Sequence, residues 1–213
     1  MIENGAEINI KNKLGEIPLH FLTHLENGTN IIEYLLNKGS YIESRTNAGN
    51  TPLHNACYFG NMKVFKVLLR KGANIQSLTS EGYNLLHCCV LMGKDKMLEK
   101  LIRKESFKEF IERKDSQGQT PLHLACEVGE EECAKILIKY NAKLDVEEIN
   151  GYTPLQLACT SGSYEIVQNI LDIRPESLNK KNSSGETILD TAIELNRKNI
   201  IELISKKIKQ ISY

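Results

Sequence analysis

Neither charge sign is in surplus: 27 basic and 27 acidic residues cancel to a formal net charge of +0. Chains that grip nucleic acid draw much of their affinity from phosphate neutralisation and show a basic excess, so nucleic acid is not the expected partner. The one concentrated basic segment, Lys206-Lys207-Ile208-Lys209, reads as a solvated helix end that complements the helix dipole. No apolar run approaches the roughly 20 residues needed to cross a bilayer. The longest, Leu85 to Met92, is interrupted by His87, so membrane insertion is not expected. No secretory hydrophobic region follows Met1, because Glu3, Asn4 and Glu7 break it. There is no Cys-x-x-Cys, no phosphate-binding loop, no nucleophile elbow and no pair of carboxylates in a non-repeat context. These absences point away from an enzyme: no catalytic residue, metal site or cofactor is expected. The composition, 41% hydrophobic and 25% charged, is that of a chain with enough apolar surface to fold.

What the chain does have is repetition. Glycines at 15, 49, 82, 118, 151 and 185 each open the same pattern. The best copies are Gly49-Asn50-Thr51-Pro52-Leu53-His54-Asn55-Ala56 and Gly118-Gln119-Thr120-Pro121-Leu122-His123-Leu124-Ala125. A third, Gly151-Tyr152-Thr153-Pro154-Leu155-Gln156-Leu157-Ala158, has Gln for His, and weaker copies begin at Gly15, Gly82 and Gly185. A second glycine follows the His position at Gly60, Gly93, Gly129 and Gly162.

Each residue type has a physical reason. Thr51 is a good helix cap, its hydroxyl able to accept an orphan backbone N–H, and Pro52 at the next position loses no donor that a helix could use. Leu53 and Ala56 fall on one face of a short helix. Gly60 suits the left-handed residue that ends it. A second helix over about Met62 to Lys71 carries Val64, Val67 and Leu68 at amphipathic spacing, and Gly72 stops it. Ala73 to Tyr83 contains Ser80-Glu81-Gly82, turn chemistry for the tip of a hairpin-like finger. One such unit cannot bury its apolar face, so the units must stack.

A period near 33 with Thr-Pro-Leu-His-x-Ala resembles the ankyrin repeat family over essentially the whole chain. The resemblance implies an all-α solenoid of stacked helix-turn-helix units with finger loops. Residues 1–14 match only the end of a repeat. Full units are expected at 15–48, 49–81, 82–117, 118–150 and 151–184, with a polar C-terminal capping repeat at 185–213. The incomplete start suggests further repeats upstream in a longer protein. In the capping repeat Ile188 and Asp190 hold the Pro and His positions, and Asn196 replaces the inter-helix glycine. Unit 82–117 is the longest, with its extra residues around Glu105 to Phe110. They read either as a slightly longer second helix with Phe107 and Phe110 tucked in, the favoured reading, or as a projecting loop. Arg174-Pro175-Glu176-Ser177 ends the second helix of unit 151–184 differently.

His20, His54, His87 and His123 share one repeat position. A step of about 10 Å between packed helices is too wide for two of them to share an ion held by bonds near 2.1 Å. The resemblance instead implies that each ties a finger to a helix through backbone hydrogen bonds. Cys57, Cys126 and Cys159 also share a position and read as small buried hydrophobes in a reducing, cytoplasmic compartment. Glu130-Glu131-Glu132 and Glu147-Glu148 read as solvated charge runs.

Arrays of this family recognise proteins through the concave face formed by first helices and fingers. The positions least constrained by the fold precede the inter-helix glycine or follow the finger glycine. The expected partner-binding residues are therefore Tyr58, Phe59, Tyr83, Leu91, Met92, Glu127 and Tyr152, with the apolar ones clustered on units 49–81 and 82–117. Padding of the groove between helices accounts for Phe59 and Leu91 equally well. The expected function is a non-catalytic protein-protein interaction module, monomeric, within a longer protein. The alternative is a targeting arm of a multidomain enzyme, channel or host-directed effector; the last fits a chain rich in Ile, Asn and Lys.

Overall fold

A computed structural model describes residues 7–211, except for the side chain of Ile211. Among the described residues there are twelve α-helices and no β-strand. The chain divides into two compact units, one up to Leu101 and one from Ile102.

In the first unit the helices come in pairs: α1 (Pro18–Leu22) with α2 (Thr29–Asn37), α3 (Pro52–Tyr58) with α4 (Met62–Arg70), and α5 (Leu85–Leu91) followed by α6 (Asp95–Ile102). First helices pack on first helices, α1 on α3 and α3 on α5, and α2 packs on α4. The second unit repeats the scheme. Its pairs are α7 (Pro121–Val128) with α8 (Glu131–Lys139), α9 (Pro154–Ser161) with α10 (Tyr164–Ile173), and α11 (Ile188–Glu194) with α12 (Lys198–Ile211). There α7 packs on α9, α9 on α11, α8 on α10 and α10 on α12.

The expected stripe closes the core. Leu53, Val64 and Leu68 are fully buried and Val67 nearly so, each such side chain stabilising the fold by about 1.5–3 kcal/mol. Asn196 adopts the left-handed conformation, φ +53°, which asparagine tolerates better than other side chains. The finger after α4 closes through Thr79 N–H to Tyr83 O (3.1 Å) and Gly82 N–H to Thr79 O (3.0 Å). Successive fingers are joined in turn: Ser80 N–H donates to Ala48 O at 3.0 Å, and Arg45 donates to Leu78 O at 2.6 Å.

The long unit corrects the expectation of an extended second helix. Lys104 is extended (φ −88°, ψ 135°), and a separate 3₁₀ helix then runs Glu105–Glu112. Three residues per turn put positions three apart on one side of such a helix. Phe107 and Phe110 thus both point inward, buried, with ring centroids 5.3 Å apart and planes at 86°. A projecting loop is excluded. Pro175–Asn179 forms a similar 3₁₀ turn after α10, with Leu178 buried.

Candidate functional site

The histidines are structural ties. His54 Nδ1 lies 3.2 Å from Thr51 N–H, which can only donate, and Nε2 lies 3.1 Å from Ser77 O, which can only accept. The ring is therefore neutral, protonated on Nε2. His123 repeats this between Thr120 N–H (3.2 Å) and Val146 O (3.0 Å), and His20 between Ile17 N–H (3.2 Å) and Asn50 O (3.1 Å). Burial pushes His54 and His123 down to about 4 and lowers His20 as well. The Thr51 hydroxyl, expected to cap the helix, closes a capping box with His54, as Thr120 does with His123, and each hydroxyl also lies 2.8 Å from the imidazole Nδ1. The Thr153 and Thr187 hydroxyls accept from Gln156 N–H and Asp190 N–H, both at 3.4 Å.

All six cysteines are buried and none forms a disulfide. Burial holds the Cys57, Cys88 and Cys126 thiols well above the ordinary range and raises Cys159 to about 11. They pack as protonated, apolar groups. Among the described residues, no three His, Cys, Asp or Glu side chains meet where they could hold a metal ion.

The seven expected contact residues separate by environment. In the first unit Phe59 and Met92 are each 48% exposed, whereas Tyr58, Tyr83 and Leu91 are half-buried. Burial, with the neighbouring Cys88 thiol adding to it, pushes the ionisation of the Tyr58 hydroxyl far up. Tyr83 stacks on His87, centroids 5.5 Å apart. Phe59 instead faces His24 across 5.5 Å, at a cleft of about 500 Å³ that also takes in Glu26, Lys63 and Lys100. In the second unit Glu127 is exposed and accepts from Gln119 Nε2 at 2.8 Å. Tyr152 is half-buried, its N–H donating to Glu148 at 3.0 Å.

One row stands out. The residue just before the inter-helix left-handed position is Phe59 or Met92 in the first unit, and Val128, Ser161 or Leu195 in the second. All but Ser161 are large, apolar and exposed. Leu195 escapes a search keyed to glycine because Asn196 takes the glycine's place; counting back from Asn196 would have found it. His24 escapes because its unit has no glycine at that point.

A family model described as "Ankyrin repeats (3 copies)" matches residues 1–79, 26–110, 71–148 and 142–212. Such repeats are protein-interaction modules. NF-kappa-B inhibitor alpha of Gallus gallus is 38% identical over 64 residues, 30% of this chain and 20% of that protein. The match thus spans about a fifth of that relative's length. The crystal structure of the ankyrin repeat domain of Bcl-3, described as a unique member of the IkappaB protein family, superposes with a TM-score of 0.72. It is 22% identical and the match covers 89% of this chain and 83% of that one. The fold is an all-helical ankyrin-repeat fold. Among the described residues no helix is long and apolar enough to cross a membrane.

Proposed function

The chain belongs to the ankyrin repeat family, and we propose that it is a non-catalytic module that binds a protein partner through its first helices and fingers. The observation that carries this reading is the exposed apolar side chain that ends a first helix at one repeat position, Phe59 and Met92 in the first unit and Val128 and Leu195 in the second. Large apolar groups half exposed at one repeat position leave apolar surface uncovered, and such patches mark interfaces. In the first unit Phe59 and Met92 form the centre of the contact surface, with Tyr58, Tyr83 and Leu91 beside them; in the second unit the contacts are Glu127 and Tyr152, taken by themselves. The relative named as an inhibitor of NF-kappa-B supports a protein as the partner. The module acts as a monomer, divided into the repeats expected above. Six buried thiols without a disulfide suit a reducing intracellular compartment.

The test is capture from the native lysate with the wild-type chain and with a Phe59→Ser/Met92→Ser variant, quantified by mass spectrometry. Any protein retained by the first and lost by the second is then purified and its affinity measured directly. If every captured protein is held equally by both chains, this surface is not the binding site.

A further inference from the structure

Ile31 lies on α2 and is 51% exposed, an unusual place for isoleucine in this architecture. One repeat later the same position is Val64, and after that Met97; both are buried, Val64 completely. In the second unit the position holds Ile166 and Ile200, buried too. The preceding second helix covers Val64, Ile166 and Ile200: α2 packs on α4, α8 on α10 and α10 on α12. Phe21 on α1 shows the same contrast, exposed where its counterparts Asn55 and Cys88 are buried. Together with Ile10, Pro18, Leu22 and Leu35, these two side chains wall an apolar cleft of about 550 Å³.

An independent observation says what belongs there. The stretch from Glu7 to Leu14 already lies on the next finger with the hydrogen bonds that join later fingers. Asn47 N–H donates to Leu14 O at 2.9 Å, as Ser80 N–H donates to Ala48 O at 3.0 Å and, in the second unit, Ile149 N–H to Gln117 O at 3.0 Å. Asn9 accepts from Tyr41 N–H at 2.9 Å. At the same repeat position Glu43 accepts from Asn74 N–H at 2.7 Å, and Glu112 from Lys143 N–H at 2.8 Å. The finger that closes a repeat is seated, and the face beside it has the chemistry of an inter-repeat interface. A helix pair such as α3–α4, Pro52 to Arg70, is the element that packs on the equivalent face of its neighbour.

We propose that the Phe21–Ile31 face seats one further ankyrin-type helix pair, packed beside the finger at residues 7–14. The interface continues one that recurs within each unit, and a stacked array is stabilised by such nearest-neighbour contacts. The occupant presents an apolar second helix to Ile31, as α2 does to Val64.

Buried native cysteines make a direct test practical. Ile31→Cys supplies a fast-reacting thiol on the 213-residue chain, and Val64→Cys is the protected control. A second protein places a copy of residues 49–70, its cysteine changed to alanine, directly ahead of Asn4, which is the repeat register. Maleimide labelling at position 31, located by mass spectrometry, should slow by at least about 100-fold in the extended protein, as for a site exposed only by local opening. Far-UV circular dichroism should show the added helix. Unchanged labelling, or no added helix, overturns the proposal. Protection of Ile31→Cys that grows with concentration in the unextended chain also overturns it, since a second copy would then be the occupant.

Discussion

His54 Nε2 donates to the carbonyl oxygen of Ser77, 3.1 Å away and 23 residues on, which fixes the finger to the helix that precedes it. The other ring nitrogen accepts from Thr51 N–H, so one side chain satisfies a donor and an acceptor, both buried. Replacing His54 with leucine leaves both unpaired and should cost about 2–4 kcal/mol. Glutamine already does this work in the fifth full repeat. There Gln156 accepts from Thr153 N–H at 2.9 Å and donates to Lys180 O at 3.3 Å. His54→Gln should therefore stay within about 1.5 kcal/mol of wild type. Urea midpoints at constant slope measure both.

Acid should weaken the fold before the carboxylates titrate. An unfolded histidine ionises near 6.5, whereas His54 and His123 ionise at about 4 when folded. Between those values the unfolded chain holds protons that the folded chain refuses, so stability falls as pH falls through the window. It is flat above about 7 on this account. Lowering the pH from 7 to 5 should cost about 2 kcal/mol for each of the two residues, with His20 adding in the same direction. His54→Gln/His123→Gln should flatten the pH dependence of the urea midpoint between 7 and 5. An unchanged dependence in that variant would contradict the neutral-imidazole reading.

Two glycines with positive φ should respond differently to alanine. Gly72 (φ +91°) has open space around a new Cβ, so Gly72→Ala should cost only the left-handed strain, about 1–2 kcal/mol. At Gly49 (φ +76°) the new Cβ would lie 2.5 Å from the Ser80 backbone nitrogen, which itself bonds to Ala48 O. Gly49→Ala should cost about 3 kcal/mol or more, strain and displaced finger together. Thermal or urea unfolding of the two variants checks the order; equal losses would mean that finger-to-finger contact is soft.

The fold was legible because each repeat states it again. Thr-Pro starts a first helix, a left-handed residue ends it, and even Asn196 reads correctly once its register is known. The 3₁₀ helix at Glu105–Glu112 was not legible as such. Phe107 and Phe110 are three apart, a spacing that serves an α-helix and a 3₁₀ helix alike, and only the extended backbone at Lys104 separates the two. The environments of the candidate contact residues were half legible. Position within the repeat marks Phe59 and Met92 as exposed, but the influence of the Cys88 thiol on Tyr58 is a relation between repeats that no single repeat reveals. The exposed face at Phe21 and Ile31 could be judged only against Val64 and Met97, once their burial was known.

Protein binding through the exposed row is the centre of the account, and calorimetric titration of a recovered partner tests it most directly. Phe59→Ser/Met92→Ser should weaken binding by about 2 kcal/mol or more, roughly 30-fold in Kd. The variant's urea midpoint should not move, because both side chains already stand half in water. An unchanged Kd with an intact fold would contradict the account.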